Sequence, residues 1–258
     1  MSALGLRCPK CQTPYRVLDW YRRDAHCPNR DCQALLPKPP RYIVGLDLGQ
    51  AADYTAVTIL EEYPAGYNLR YLHRFDIGTP YPVQVAGVLS MLGQDPLLGL
   101  TELVVDHTGV GRPVVDMLRA RGLSPICVTI TGGDALTLDS NDASNYRVPK
   151  RDLVGALVVL FQEQKLRIAR GVALGQVFTK ELLNFKMKIN VRTGHDSYEA
   201  WREGEHDDLV LAVALAAWWG ERGGDVRNFL GSGLARPSGQ PAAPHWLPAG
   251  AVLVGGGR

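Results

Sequence analysis

The chain has 258 residues, of which 46% are hydrophobic and 21% charged, a composition typical of a globular protein with a sizeable core. A net charge of +2 excludes a protein that is basic over its whole surface, so any nucleic-acid surface has to arise from local clustering. No apolar stretch reaches the roughly 18 residues of a membrane span and the N-terminus has no signal-peptide core, which together predict a cytoplasmic protein with reduced cysteines.

The first predicted element is a zinc-ribbon-like module at residues 1–36. Its four cysteines form two close pairs, Cys8 with Cys11 and Cys27 with Cys32. Two pairs at this spacing are typical of a tetrahedral Zn²⁺ bound by four thiolates. A segment this short buries too little apolar area to fold alone, so the metal would supply its folding free energy. Two alternatives stay open: unligated thiols, and a site in which His26 replaces Cys27.

Composition divides the rest of the chain into three parts. The Pro-rich residues 37–40 predict a stiff linker, and a main domain follows at residues 41–222. Glycine and proline dominate residues 223–258, which predicts a flexible tail.

Within the cysteine module, aromatic and basic residues at 15–23 lie between the two cysteine pairs. They are expected either to contact nucleic acid or to pack the small module.

Apolar patterns and turn residues predict five strands and five helices in the main domain. The strands are 42–48, 55–60, 67–75, 102–106 and 124–130. The helices are 82–91, 113–121, 150–164, 176–185 and 207–221. An antiparallel meander of three strands, followed by parallel strands that alternate with helices, predicts an α/β fold with a mixed sheet flanked by helices. The polar stretch 132–147 is predicted to be a long loop, either closing over a substrate or forming a simple insertion.

Carboxylates stand at the ends of three predicted elements, each next to apolar residues. Asp47 ends the first strand, Asp106 ends the fourth, and Asp207 and Asp208 begin the last helix. Buried acids are costly unless they are paired or bind a metal, and active sites gather at strand ends in α/β folds. The cluster suits two Mg²⁺ ions for phosphodiester hydrolysis, with Asp47 bridging them and Asp106 and Asp208 holding one ion each. The structural alternative is that Asp207 or Asp208 caps the helix and Asp106 closes a turn.

Basic residues are frequent in the second half of the main domain. The positions predicted to contact the DNA backbone are Lys150, Arg151, Lys186, Lys188 and Arg192. Such contacts to phosphate would be sensitive to salt and independent of sequence. Most other charges there are expected to lie on solvated helix faces.

Three stretches of the main domain contain the acids described above. They are residues 42–50 (YIVGLDLGQ), 103–111 (LVVDHTGVG) and 206–216 (HDDLVLAVALA). Their order resembles that of RNase H-like nucleases, and the closer similarity is to the nuclease domain of tailed-phage terminase large subunits. Residues 146–153 and the pair Glu181 with Phe185 are also similar to that family.

The resemblance implies site residues and cofactors. It makes Asp47, Asp106 and Asp208 the three acidic ligands of two Mg²⁺ or Mn²⁺ ions, with Asp207 assisting or capping. One position departs from the pattern, because related resolvases often carry a further acid one helical turn beyond the third ligand, where this sequence has Leu211.

The family also implies an ATPase motor before the nuclease, but the sequence contains no Gly-x-x-x-x-Gly-Lys-[Ser/Thr] motif. We therefore expect a DNA endonuclease whose motor, or another packaging protein, is a separate partner contacted through the cysteine module, in the host cytoplasm if the chain is phage-encoded. Alternatives are a junction-resolving nuclease of the same superfamily, or a non-catalytic zinc-bearing DNA-binding or assembly protein. Cleavage of RNA or hybrids also stays open, whereas an actin-like ATPase would need further glycine-rich loops.

Overall fold

The computed structural model describes residues 6–15, 25–37, 40–49, 53–63, 65–94, 97, 101–109, 111–133, 135–139, 142–191 and 206–222. The predicted tail at 223–258, Arg192 and residues 16–24 lie outside these ranges. None of the helices in the described ranges is long and apolar enough to cross a lipid bilayer.

The described residues form ten strands and five helices. The strands are β1 (Leu6–Arg7), β2 (Pro14–Tyr15), β3 (Arg41–Asp47), β4 (Thr55–Tyr63), β5 (Gly66–Phe75), β6 (Thr101–Asp106), β7 (Ile126–Thr131), β8 (Thr137–Asp139), β9 (Asp142–Pro149) and β10 (Leu166–Ile168). The helices are α1 (Tyr81–Leu92), α2 (Gly111–Ala120), α3 (Lys150–Gln162), α4 (Gly175–Val191) and α5 (Asp208–Glu221).

Strands β3 to β10 form one mixed sheet in the order β10-β5-β4-β3-β6-β7-β9-β8. Strands β3, β4 and β5 are an antiparallel meander, and β6, β7 and β9 extend the sheet as parallel strands beside β3. The predicted α/β fold class, with a meander followed by parallel strands, is confirmed. Both outer strands, β10 and β8, contain only three residues.

Apolar side chains cover both faces of the sheet. Successive residues of a strand point to opposite faces, so Ile43 of β3 joins the layer beneath α3, α4 and α5, whereas Val44 joins the layer beneath α1 and α2. Val104 and Val105 of β6 divide in the same way. Helix α5 is buried along almost its whole length, as its apolar sequence predicts.

The prediction of a long loop at residues 132–147 is wrong. Strand β9 pairs in parallel with β7, and β8 pairs with β9 in the antiparallel direction. This part of the sequence is polar because it lies near the sheet edge, where little of a strand is buried. The alternation of apolar and polar residues that indicates a strand is confined to Tyr146 and Val148. Tyr146 packs against Trp218 and Trp219, and Val148 is buried. Strand β10 was not predicted either.

Candidate functional site

Asp47 and Asp106 end two neighbouring parallel strands, β3 and β6. The strand register pairs Leu46 with Val105, so the two carboxylates follow at the same edge of the sheet. A hydrogen bond joins the two side chains, and both residues are buried, at 6% and 8% exposure. The backbone N–H of Thr108 also donates a 2.8 Å hydrogen bond to Oδ1 of Asp106. Asp106 therefore closes the turn after its strand and lies beside Asp47 as well.

Helix α5 brings Asp208 to this edge because it crosses β3 at a glycine. A Cβ atom at Gly45 would overlap the backbone oxygen of Ala212 and would lie 2.9 Å from Cγ2 of Thr58. A glycine therefore permits a close approach of helix to strand that no other residue permits. Asp208, the first residue of the helix, is buried there at 6% exposure, and its negative charge acts on Asp47.

The pKa values of the three carboxyls are all raised. Burial, followed by the charges of Asp106 and Asp208, holds the pKa of Asp47 well above its usual range. Burial also raises the pKa of Asp106, although its hydrogen bonds to Thr108 oppose the shift. For Asp208, burial raises the pKa to about 6 against the opposing charge of Arg74. Three acids that share a buried space in this way form an environment suited to a cation.

Asp207 lies at the N-cap of α5, but its side chain makes no capping hydrogen bond. Its Oδ2 instead lies 3.0 Å from Nζ of Lys150, the first residue of α3. The same Nζ lies 5.5 Å from the ring centre of Phe185. The alternative in which Asp207 or Asp208 caps the helix with its side chain is therefore wrong. Lys150 belongs to the carboxylate cluster, where its charge lowers the pKa of Asp47.

Two residues that the sequence did not mark as site residues lie beside Asp208, one in contact with it and the other paired with the first. Arg74 of β5 lies 3.3 Å from Oδ2 of Asp208 and forms an ion pair with Glu181 of α4. Glu181 was noted only for its family resemblance, and nothing in the sequence around Arg74 indicated a role. Both contacts join elements far apart in sequence, so only the folded chain reveals them.

The three carboxylates as a group are less close together than the four thiolates of the N-terminal module, although Asp47 and Asp106 contact each other. Among the described residues, the four cysteines are the only group of potential ligands whose atoms all lie within 4.8 Å of one another. The carboxylates form a buried, mutually repelling cluster rather than a closed coordination cage.

Four sulfur atoms form the second candidate centre. Sγ of Cys8 lies 3.7 Å from that of Cys32, and Sγ of Cys11 lies 3.5 Å from that of Cys27. Four sulfurs about 2.3 Å from a central zinc ion would lie about 3.8 Å from one another, so the observed spacing matches a tetrahedral site. The distances far exceed the roughly 2.05 Å of a disulfide, and all four thiols are free. The sulfur of Cys27, and not His26, completes the group.

The backbone turns repeat in the two cysteine pairs. Gln12 follows the first pair and Gln33 follows the second, and both have a left-handed backbone, with φ of 59° and 47°. Hydrogen bonds with the hydroxyl and the backbone of Thr13 lower the pKa of Cys11 to about 6, which favours its thiolate. Tyr15 is buried against the cluster, so at that position the aromatic residue packs the module.

The basic residues predicted to bind DNA are described only in part. Lys150 is half-buried beside Asp207, and the neighbouring Arg151 is exposed on α3. Lys186 and Lys188 belong to α4, but their side chains lie outside the described part of the structure, as does all of Arg192.

No protein-family model matches the sequence, and no curated protein matches it. The solved structures that are similar to this chain include terminase large-subunit nuclease domains, in line with the resemblance seen in the sequence. The large terminase nuclease from thermophilic phage G20c is 21% identical over 70% of this chain and 82% of that chain, with a TM-score of 0.47.

Two further structures give similar values. The large terminase nuclease domain of Thermus phage P74-26 is 24% identical over 69% of this chain and 78% of that chain, with a TM-score of 0.45. A manganese-soaked terminase nuclease domain of human cytomegalovirus is 16% identical over 69% of this chain and 82% of that chain, with a TM-score of 0.43. These similarities concern the fold, so the chemistry of this chain has to be inferred from its own side chains.

Proposed function

We propose that the chain is a metal-dependent DNA endonuclease of phage terminase type, which hydrolyses phosphodiester bonds at the carboxylate cluster. The observation that carries the proposal is the burial of Asp47 beside Asp106 and Asp208, with all three pKa values raised. A fold that buries three mutually repelling acids loses stability, and a bound divalent cation would offset that loss.

The donor atoms fit Mg²⁺ or Mn²⁺, because hard divalent ions prefer carboxylate oxygens. Asp47, between the other two acids, is suited to bridge two ions, while Asp106 and Asp208 would each hold one. Such ions, when bound, supply an activated water and stabilise the oxygen that leaves.

The protein's own residues orient these ligands and the substrate. The Thr108 N–H fixes one oxygen of Asp106. Lys150, paired with Asp207, places a positive charge beside the acidic cluster, where a DNA phosphate would be attracted. We propose that Arg151, Lys186, Lys188 and Arg192 extend this backbone-binding surface, so that affinity for DNA falls steeply with salt.

The four cysteines fit one structural Zn²⁺, because two of their sulfur–sulfur distances, 3.7 and 3.5 Å, are close to the spacing in a tetrahedral thiolate site. We propose that this zinc-ribbon-like module docks the nuclease onto a partner, such as a separate ATPase motor or another packaging protein. The printed sequence lacks a phosphate-binding loop of the ATPase type, so translocation of DNA would depend on a motor outside these 258 residues.

The test is cleavage of supercoiled plasmid in Mn²⁺ or Mg²⁺ by the wild-type chain, by Asp47→Asn and by Asp116→Asn. Asp116 is an exposed acid on α2 and serves as the matched control. We expect nicked or linear DNA from the wild type and from Asp116→Asn, no product from Asp47→Asn, and no product in EDTA. DNA binding measured by fluorescence anisotropy should remain in Asp47→Asn.

Equal cleavage by Asp47→Asn and wild type would show that the carboxylate cluster is not the active centre. Preference for branched over linear DNA would favour a junction-resolving nuclease of the same chemistry. No product on linear, branched or single-stranded DNA, with either metal and with DNA binding intact, would favour a non-catalytic DNA-binding or assembly protein.

A further inference from the structure

Arg74 is surrounded by groups that fix its position beside Asp208. Its Nη2 contacts Glu181 and lies 3.3 Å from Oδ2 of Asp208. The guanidinium lies over the ring of Tyr54, 4.9 Å from the ring centre. The centre of that ring lies 4.8 Å from the centre of the His206 ring, with the two rings inclined at 68°, and Nδ1 of His206 is 3.7 Å from the same oxygen of Asp208. Both basic groups approach Oδ2, so neither of them occupies Oδ1.

Glu181 also stabilises the start of helix α5. The N-cap residue Asp207 makes no side-chain capping bond, which leaves N–H groups of the first turn in need of acceptors. The backbone N–H of Leu209, the residue after Asp208, acts on the carboxylate of Glu181 and lowers its pKa. One carboxylate from α4 thus lies at the start of the helix that presents Asp208 and pairs with the arginine that contacts it.

When Glu181 is ionised, above its pKa of about 7, its charge cancels that of Arg74, and that balance matters to a neighbouring cation site. Without Arg74, an ionised Glu181 would face Asp208 as a second carboxylate and repel it. Without Glu181, the full charge of Arg74 would bind Asp208 more tightly and oppose the entry of another cation. Only the two together orient Asp208 while leaving the net charge of the site unchanged.

We propose that Arg74 and Glu181 are a positioning pair that orients Asp208 for metal binding, without contacting the metal or the substrate. This inference rests on the proposed function, because it assumes a divalent ion at the carboxylate cluster. Residues that orient metal ligands through hydrogen bonds typically change metal affinity by about 10–100-fold when they are substituted.

The experiment measures Mn²⁺ binding to the full, zinc-loaded chain by the electron paramagnetic resonance signal of free Mn²⁺, at a pH above the pKa of Glu181. Wild type is compared with Arg74→Gln, Glu181→Gln and the double variant. We expect each single substitution to raise the Kd for Mn²⁺ by about tenfold or more. The double variant restores charge neutrality, so its Kd should lie closer to that of the wild type than either single variant's does.

Arg70→Gln is the matched control. Arg70 lies on the same strand and also forms an ion pair, with Nη2 2.5 Å from Oε2 of Glu61. Thermal unfolding should be similar for Arg70→Gln and Arg74→Gln, whereas only Arg74→Gln should weaken Mn²⁺ binding. A general loss of stability cannot produce that difference.

Three outcomes separate this inference from the proposed function. If Asp47→Asn binds Mn²⁺ like the wild type, the carboxylate cluster is not the metal site and the proposed function fails. If Asp47→Asn loses Mn²⁺ while Arg74→Gln behaves like Arg70→Gln, the nuclease site stands and the positioning pair is overturned. If the effects of the two single substitutions simply multiply in the double variant, the residues act independently and the pair is overturned as a unit.

Discussion

The two candidate metal sites of this chain are built in opposite ways. The cysteine site draws its four ligands from two tight turns, and its sulfurs all lie within 4.8 Å of one another. The carboxylate site draws its acids from β3, β6 and α5, which are distant in sequence and are brought together by the sheet. The first site has almost no protein core around it, whereas the second lies at the edge of a large one.

The two candidate sites also differ in whether the metal would stabilise the protein or the protein would hold the metal ligands in place. A small module with few buried residues would need its metal in order to fold, so metal binding and folding would be one process there. The main domain buries a large core of its own, which would hold the acids in place without an ion. On the proposed function, the carboxylate site would reduce the stability of its domain until a cation binds, while the cysteine site would add stability only with its metal bound.

The largest expected effect is the loss of zinc. Binding of Zn²⁺ to a structural thiolate site is worth about 10 kcal/mol or more, so its removal should unfold residues 6–15 and 25–37. The main domain should keep its unfolding temperature to within a few degrees. Zinc content by atomic emission and the dispersion of backbone NMR signals would check this.

Cys27→Ser and Cys127→Ser are matched variants for the zinc prediction, because only Cys27 belongs to the sulfur cluster. Cys127 is a buried cysteine of β7, away from the cluster, so its variant should keep one zinc per chain. Cooperative unfolding of both parts on zinc removal would contradict the proposed independence of the two sites.

A smaller effect is expected from Gly45→Ala, which tests how the sheet assembles the carboxylates. The added Cβ would meet the backbone of α5 at Ala212, so we expect a loss of about 3 kcal/mol in the free energy of unfolding. The displaced helix would carry Asp208 with it, so Mn²⁺ binding should weaken while zinc content stays the same. Urea unfolding and Mn²⁺ titration are the measurements.

Gly155→Ala is the control for this substitution. A Cβ at Gly155, inside α3, meets nothing within 4 Å, so alanine should stabilise the helix by roughly 0.5–1 kcal/mol. If Gly45→Ala were as stable as Gly155→Ala, the close contact between β3 and α5 would not determine the position of Asp208.

A further expected effect is a pH dependence of the metal-free main domain. The pKa of Asp208 rises from its usual value of 3.8 to about 6, and that of Glu181 from 4.5 to about 7. The folded state therefore holds protons that the unfolded state has released, and the free energy of unfolding should decrease as the pH rises from about 4 to 7. Asp208→Asn should make this decline shallower, and saturating Mn²⁺ should do the same for the wild type.

The comparison with Asp208→Asn is needed because His73 changes the free energy of unfolding with pH in the opposite direction. Burial lowers the pKa of His73 from 6.5 to about 4, so its contribution to stability is gained as the pH rises through that range. The contribution of His73 is common to both proteins and cancels in their difference. A decline of equal slope in wild type and Asp208→Asn would exclude Asp208 as its cause.

Much of the fold could be predicted from the sequence because its signals are local. Apolar strands bounded by turns indicated the meander and the parallel strands, and the acids stood out because each ended an apolar element. The spacing of the cysteines indicated their cluster for the same reason. The hairpin of β8 and β9 was missed because edge strands need few apolar residues, so its polar sequence was interpreted as a loop.

The contacts within the candidate site were less predictable, because they join distant segments. Arg74 looks like any polar residue of a half-exposed strand, and only the fold brings it to Glu181 and Asp208. Lys150 was predicted to lie on a basic surface, but α3 begins beside Asp207 and places that lysine at the acidic cluster. No local pattern carries such information.

The three-residue length of the outer strands β8 and β10 bears on how this protein behaves at high concentration. A sheet edge is a template on which another copy can add its own strand, and long flat edges promote aggregation. Strand β10 pairs with β5 only at residues 67–69, and β8 pairs with β9 only at Asp142, Tyr146 and Arg147, so among the described strands parts of β5 and β9 also lie along a sheet edge. The short outer strands, and the register shift between β8 and β9, divide both edges into short pieces, which limits the addition of a strand from another molecule.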